Sequence, residues 1–313
     1  MKRSTKALLV VGALIATPLI ANHIIAKKAQ RRISASPNTE TYDWEYGKIK
    51  YSVRGRESAP PLLLVHGVYP GASNLEWEGA AALFTDTYRV YSLDLLGFGY
   101  SDKPYLDYSS YLYVRLIKDF VENVIGQPVV AAASLHGATS LISCAALNPE
   151  DFDKLLLISP VGLECGTPLA QEEDEYVKKA FSVPLAGTSF YNGLCSKRAL
   201  PKLFKTESFA DEAFMTDEML DKIYLSAHSD ATGGKYAVAA LLSKFFNADV
   251  KDCLAKLTVP YTIILGEQFD TEARFKFYQG IDEEYPATTI EGAGILPHMV
   301  SPEIFVETVK DLL

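Results

Sequence analysis

The sequence predicts an α/β protein built on a mostly parallel sheet, with helices on both faces and a long helical insertion. Three observations carry that expectation. Four short apolar runs, Leu62–Val65, Val90–Leu93, Val129–Ala133 and Lys154–Ile158, each lead into a helical pattern. That rhythm belongs to parallel strands buried on both faces. It stops near Gly162: from Thr167 to about Asn247 no strand-like run occurs, and helical periods dominate, as in DEYVKKAFSVPLAG and DEMLDKIYLSAH. Strand signals then return in TVPYTIILGEQFD and ATTIEGAG.

Taken in order, the first element is apolar. Ala7 to Ala26 carries no Asp, Glu, Lys or Arg, with Lys2, Arg3 and Lys6 before it and Lys27, Lys28, Arg31 and Arg32 after it. About 20 helical residues cross a bilayer core. The basic cluster and the lack of a clean A-x-A site favour a retained single-pass membrane anchor over a cleaved signal peptide, although Pro18, Asn22 and His23 interrupt its second half. The balance of cations leaves the side of the membrane open. A polar linker follows from Arg31 to Glu40, then TYDWEYGKIKYSVRG, whose alternation around a Tyr-Gly turn predicts an opening hairpin. The resulting division is 1–32 anchor and basic flank, 33–165 first part of the core, 166–247 helical cap, and 248–313 second part of the core, ending in a helix from Pro302 to Leu313.

Composition bounds the function. The chain has 313 residues, 48% of them apolar, enough for a full core. A net charge of −9 argues against nucleic acid, which needs a clustered basic surface. Cys144, Cys165, Cys195 and Cys253 are scattered without C-x-x-C spacing, which disfavours a metal site or a disulfide framework, and no cofactor is expected.

Four segments carry the functional signal: PLLLVHGVYPGASNLEW (Pro61 to Trp77), RVYSLDLLGFGYSDKP (Arg89 to Pro104), VVAAASLHGATS (Val129 to Ser140) and EGAGILPHMVSPE (Glu291 to Glu303). In order and spacing they resemble the oxyanion turn, the D-x-x-G-x-G-x-S-D loop, the nucleophile elbow and the histidine loop of the α/β-hydrolase superfamily. The wording EYGKIKYSV, LLLVHG, SLDLLGFGYSDKP and SYLYVRLIKDFV is similar to a membrane-tethered branch from Gram-positive bacteria. The resemblance implies the α/β-hydrolase fold, with a cap over the site and a nucleophile–acid–base triad.

The three triad positions are filled by apolar residues. An elbow needs small residues two before and two after the nucleophile. With Ser134 as nucleophile that pair is Ala132 and His136; with Leu135 at the position it is Ala133 and Gly137, and sterics are satisfied. The family's G-E-x-D wording puts the acid at Phe269, with Asp270 one place on and Glu164 as the alternative from the sixth strand. The loop G-x-G-H-x-P-H puts the base at Ile295, and His298 corresponds to a second, supporting histidine. A serine without an imidazole in reach is a poor nucleophile.

Other residues weigh less. Gly67, Val68 and His136 resemble an oxyanion hole, although His66-Gly67 also serves as plain strand-to-loop packing, and the His136 ring also reads as a satisfied core group. Ser101 and Asp102 are expected to fix their loop by local hydrogen bonds. His228 in the cap reads as a surface histidine, and the tyrosines from Tyr105 to Tyr113 as packing. The expected function is a membrane-tethered, non-hydrolytic protein with a capped cavity for a small apolar ligand or a partner protein. The rival is a serine esterase or lipase using Ser134, His298 and Asp270 or Glu164. A third reading is a cofactor-independent lyase that depends on a cap residue such as His228.

Overall fold

The computed structural model describes residues 20–25, 27–28, 39–163, 168–206, 216–230, 233–267 and 286–313. Its centre is an eight-stranded sheet in the order β1-β2-β4-β3-β5-β6-β7-β8. The strands are β1 (Thr39–Trp44), β2 (Gly47–Arg54), β3 (Pro61–Val65), β4 (Arg89–Leu93), β5 (Val129–Ser134), β6 (Phe152–Ile158), β7 (Tyr261–Gly266) and β8 (Ala287–Ile290). The β1–β2 hairpin and the β2–β4 pairing are antiparallel; every pairing from β4 to β8 is parallel.

Side chains alternate across a strand, so each apolar run feeds two cores. Leu63, Val65, Ala131, Ala133, Leu155, Leu157, Ile263 and Leu265 face one way. Leu62, Leu64, Ala132, Leu156, Ile158 and Ile264 face the other. The first face is covered by α2 (Ser110–Phe120) and α3 (Leu135–Leu147), which pack on each other. Ser109 caps α2, its hydroxyl accepting from the Leu112 amide. The second face carries α1 (Glu78–Phe84) and, from the far end of the chain, α11 (Pro302–Val309), through Trp77, Phe84, Phe305 and Val309.

Between β6 and β7 the chain leaves the sheet for α4 (Glu175–Ser182), α5 (Pro184–Leu194), α6 (Leu200–Thr206), α7 (Asp217–Ala227) and α8 (Lys235–Leu242). The segment returns through α9 (Lys251–Ala255), which packs on α3, and α10 (Pro297–Val300) precedes α11. Cys144 and Cys195 are buried free thiols and Cys253 is a half-buried one; Cys165 lies outside the described residues.

The expected transmembrane anchor is corrected. Among the described residues no helix is long and apolar enough to cross a membrane. Residues 1–19 of the sequence, which hold most of the apolar stretch, lie outside the described residues. In the described part, Asn22 is bonded to the protein itself: its amide donates to Ser189 Oγ at 3.2 Å, and its carbonyl accepts from Asn192 at 2.8 Å. Hydropathy counts Asn22 as an interruption of an apolar run; the structure gives it two polar partners on α5.

Parallel packing brings α3 close to the end of β3. A Cβ on Gly137 would lie 2.5 Å from the carbonyl oxygen of His66. Gly137→Ala therefore sets a helix-propensity gain of about 1 kcal/mol against an overpacking cost of about 1–3 kcal/mol. Because the obstacle is backbone, the clash wins. Urea unfolding is expected to show a lower midpoint with an unchanged m-value.

Candidate functional site

β5 and α3 meet at a sharp corner. Ser134 ends the strand in extended conformation and Leu135 opens the helix with φ 48°. A non-glycine residue there is strained by about 1–3 kcal/mol. The corner is possible because its flanks are small: Ala133 is fully buried between neighbouring strands, and Gly137 lies against His66. The Leu135 side chain leans on the turn after β3, since a Cβ built on Gly67 would stand 3.0 Å from Leu135 Cδ1 and 3.0 Å from Ser134 Oγ. Ser134 is fully buried beneath it.

Below this corner lies a carboxylate that sequence reasoning missed. Glu76, in the 3₁₀ turn Asn74–Trp77, is 2% exposed. Its Oε2 accepts from the Gly67 amide at 3.0 Å and the Tyr69 hydroxyl at 2.8 Å. Its Oε1 accepts from the Ser134 hydroxyl at 2.5 Å and pairs with His298 Nε2 at 2.9 Å. An ionised carboxylate has about four acceptor positions, and all are used here. Burial pushes the Glu76 carboxyl up, but the hydrogen bonds it receives from His298 and Ser134 hold it below its ordinary value. His298 stacks on Trp77 at 3.8 Å between ring centroids, and its Nδ1 has no hydrogen-bond partner among the described residues. A carboxylate oxygen only accepts, so the contact assigns a proton to His298 Nε2.

Ser134 and His298 thus meet on one oxygen of Glu76, and both are fully buried. The Ser134 hydroxyl already donates to a carboxylate held below its usual range, and such a carboxylate is a weak base toward an alcohol. The other acid candidates, Asp270 and Glu164, and the third apolar position, Phe269, lie outside the described residues. His66 is structural: Nε2 accepts from the Leu95 amide at 3.0 Å, which leaves Nδ1 to donate to the Gly67 carbonyl at 2.6 Å. Ser101 and Asp102 bind the backbone amides of Lys50 and Lys48 at 2.8 and 2.7 Å and so hold their loop to β2. His228 is buried and not on the surface; its Nδ1 faces the Tyr224 carbonyl and its ring lies beside Tyr191 and Tyr224. The aromatic ring from α5 and the turn at the end of α7 exclude it from water.

Above the corner, core and cap enclose a cavity of about 350 Å³. Leu135, Ile295, Val68 and Pro70 form its floor with Tyr69 and His136, while Leu194, Leu203, Phe204 and Leu241 come from the cap. Its volume lies at the lower end of the range for small-molecule sites. The wall is almost entirely apolar. The His136 ring nitrogen Nε2 is 3.2 Å from Asn247 Oδ1, and Asn247 donates its own amide to the Pro168 carbonyl at 2.8 Å. That second bond fixes Oδ1 as acceptor and so Nε2 as donor. Among the described residues no group of His, Cys, Asp and Glu is arranged to hold a metal.

A parallel sheet, a left-handed strand–helix corner and a helical cap over an apolar cavity define an α/β-hydrolase fold. Residues 62–308 match the model of the alpha/beta hydrolase family, and the chain belongs to that family. It is similar to 2-hydroxy-6-oxo-6-(2'-aminophenyl)hexa-2,4-dienoic acid hydrolase of Metapseudomonas resinovorans, 25% identical over 237 residues, 72% of this chain and 74% of that one. It is also similar to 2-(acetamidomethylene)succinate hydrolase of Mesorhizobium japonicum, 21% identical over 277 residues, 86% of this chain and 93% of that one. Among solved structures, Cfl2 of Burkholderia cenocepacia superposes with a TM-score of 0.71 at 19% identity, over 88% of this chain and 95% of that one, a likeness of fold.

Glu76→Ala is expected to cost about 3–5 kcal/mol, because it strands several buried donors at once. Glu76→Gln tests the charge. A carboxyl held low in the folded state stabilises the fold above its unfolded value, about 4.3, and that stability is lost as pH falls through the folded value. The wild-type melting temperature should therefore drop more steeply below about pH 4.3 than that of Glu76→Gln. Equal slopes in a thermal-shift series would dissociate Glu76 from acid stability.

Proposed function

We propose that this chain is a non-hydrolytic member of the α/β-hydrolase family that holds a small apolar ligand in the cavity beneath its cap. One observation carries the reading: the side chain delivered by the left-handed corner belongs to Leu135, which has no nucleophilic atom. Two further features support it. Ile295, at the base position of the family loop, is the cavity wall facing that corner. The nearby hydroxyl of Ser134 is buried and committed to Glu76. The relatives named as hydrolases need a group that attacks and a group that takes a proton; here both positions supply hydrocarbon to a binding site instead.

The test is a fluorophosphonate probe on the folded protein, followed by mass spectrometry, with Ser134→Ala as control. No adduct at Ser134 and no ester turnover are expected. Labelling of Ser134 that the control loses would establish the serine-hydrolase reading with His298 and overturn this one. Leu135→Ser alone should stay inactive, because Ile295 offers the new hydroxyl no base; removing one triad member typically costs several orders of magnitude in rate.

A further inference from the structure

The cavity's few polar atoms restrict what it can hold. Among the described residues its wall contains no Lys or Arg, and its only side chains able to hydrogen-bond are Tyr69 and His136. The Tyr69 hydroxyl gives its proton to Glu76 Oε2 at 2.8 Å. That proton stays in place: burial first, then the charge and hydrogen bond of Glu76, pushes the Tyr69 hydroxyl well above its ordinary value. What remains on this oxygen is acceptor capacity. The His136 Nε2–H is likewise engaged by Asn247. A carboxylate entering the cavity would lose its hydration, find no cationic side chain on the described wall, and lie near the buried charge of Glu76.

We propose that the ligand is a neutral amphiphile whose polar end donates a hydrogen bond, a medium-chain alcohol in its simplest form, with Tyr69 as the acceptor. The inference rests on the binding reading above and gives the ligand its chemical class. The apolar wall of Leu135, Ile295, Leu194, Leu203, Phe204 and Leu241 takes the chain. Tyr69 selects the head, and Glu76 behind it keeps the hydroxyl oriented. The donor–acceptor logic also separates the cavity from an ester site: an ester offers acceptors alone, and these would face the Tyr69 oxygen without a shared proton.

A free alcohol and the free hydroxyls of a monoacylglycerol share this chemistry. Displacement of a bound apolar fluorophore, at mildly alkaline pH, should be titrated with decanol, monodecanoylglycerol, decyl methyl ether and decanoate. The hydroxyl-bearing probes are expected to bind about tenfold tighter than the ether, the scale of one net hydrogen bond, and decanoate weakest of all. The tighter of the two hydroxyl probes identifies the source. Tyr69→Phe should lower decanol to the affinity of the ether while leaving the ether unchanged; a merely structural role for Tyr69 would weaken both. An ether binding as well as decanol, or decanoate binding best, overturns the proposal and leaves the cavity reading standing. Failure of all four probes to displace the fluorophore, with the protein shown to be folded, overturns both.

Discussion

The buried carboxylate of Glu76 is the interaction on which the site depends. Its partners come from three places that are distant in the chain: the turn after β3 (Gly67 and Tyr69), the end of β5 (Ser134), and α10 (His298). An ionised carboxylate without partners in such a place costs several kcal/mol, so these segments are stable only together. The same network decides which atoms face the cavity. It holds Tyr69 at the wall, and it turns the Ser134 hydroxyl away from the wall, under Leu135.

The corner at Leu135 is a second constraint, geometric in nature. A left-handed residue between a central strand and its following helix is costly for leucine, yet the surroundings leave no alternative. β5 is locked in register with β3 and β6, and α3 is pressed against the His66 carbonyl through Gly137. Leu135 is partly buried against the cluster of Phe204, Ile295 and Met299. Since full burial of a leucine contributes about 1.5–3 kcal/mol, packing of this side chain offsets part of the strain at the corner.

How far the sequence was readable follows from how local each signal is. The parallel core was legible because its strands are short apolar runs, and the alternation within Leu62–Val65 feeds both faces. At the corner, the local signal is steric: Ala133 and Gly137 are small, and the residue with positive φ between them is Leu135. Glu76 was not legible. Between Leu75 and Trp77 at the start of a helix it reads as a solvated first-turn acid, and two of its four partners lie 58 and 222 residues away. His228 was misread for the same reason, since its burial comes from Tyr191 on another cap helix. The apolar stretch at the N-terminus misled differently: hydropathy weighs residues singly and cannot see that Asn22 has partners on α5.

The segment that enters α10 places an apolar and a polar residue in different surroundings. Ile295 and His298 are three positions apart, yet Ile295 belongs to the cavity wall while His298 is fully buried beneath it against Trp77 and Glu76. An imidazole at Ile295 would carry a desolvation cost in an almost wholly apolar wall. A hydrocarbon at His298 would leave Glu76 short of a donor. The apolar choice above and the polar choice below are each fixed by the neighbour already there.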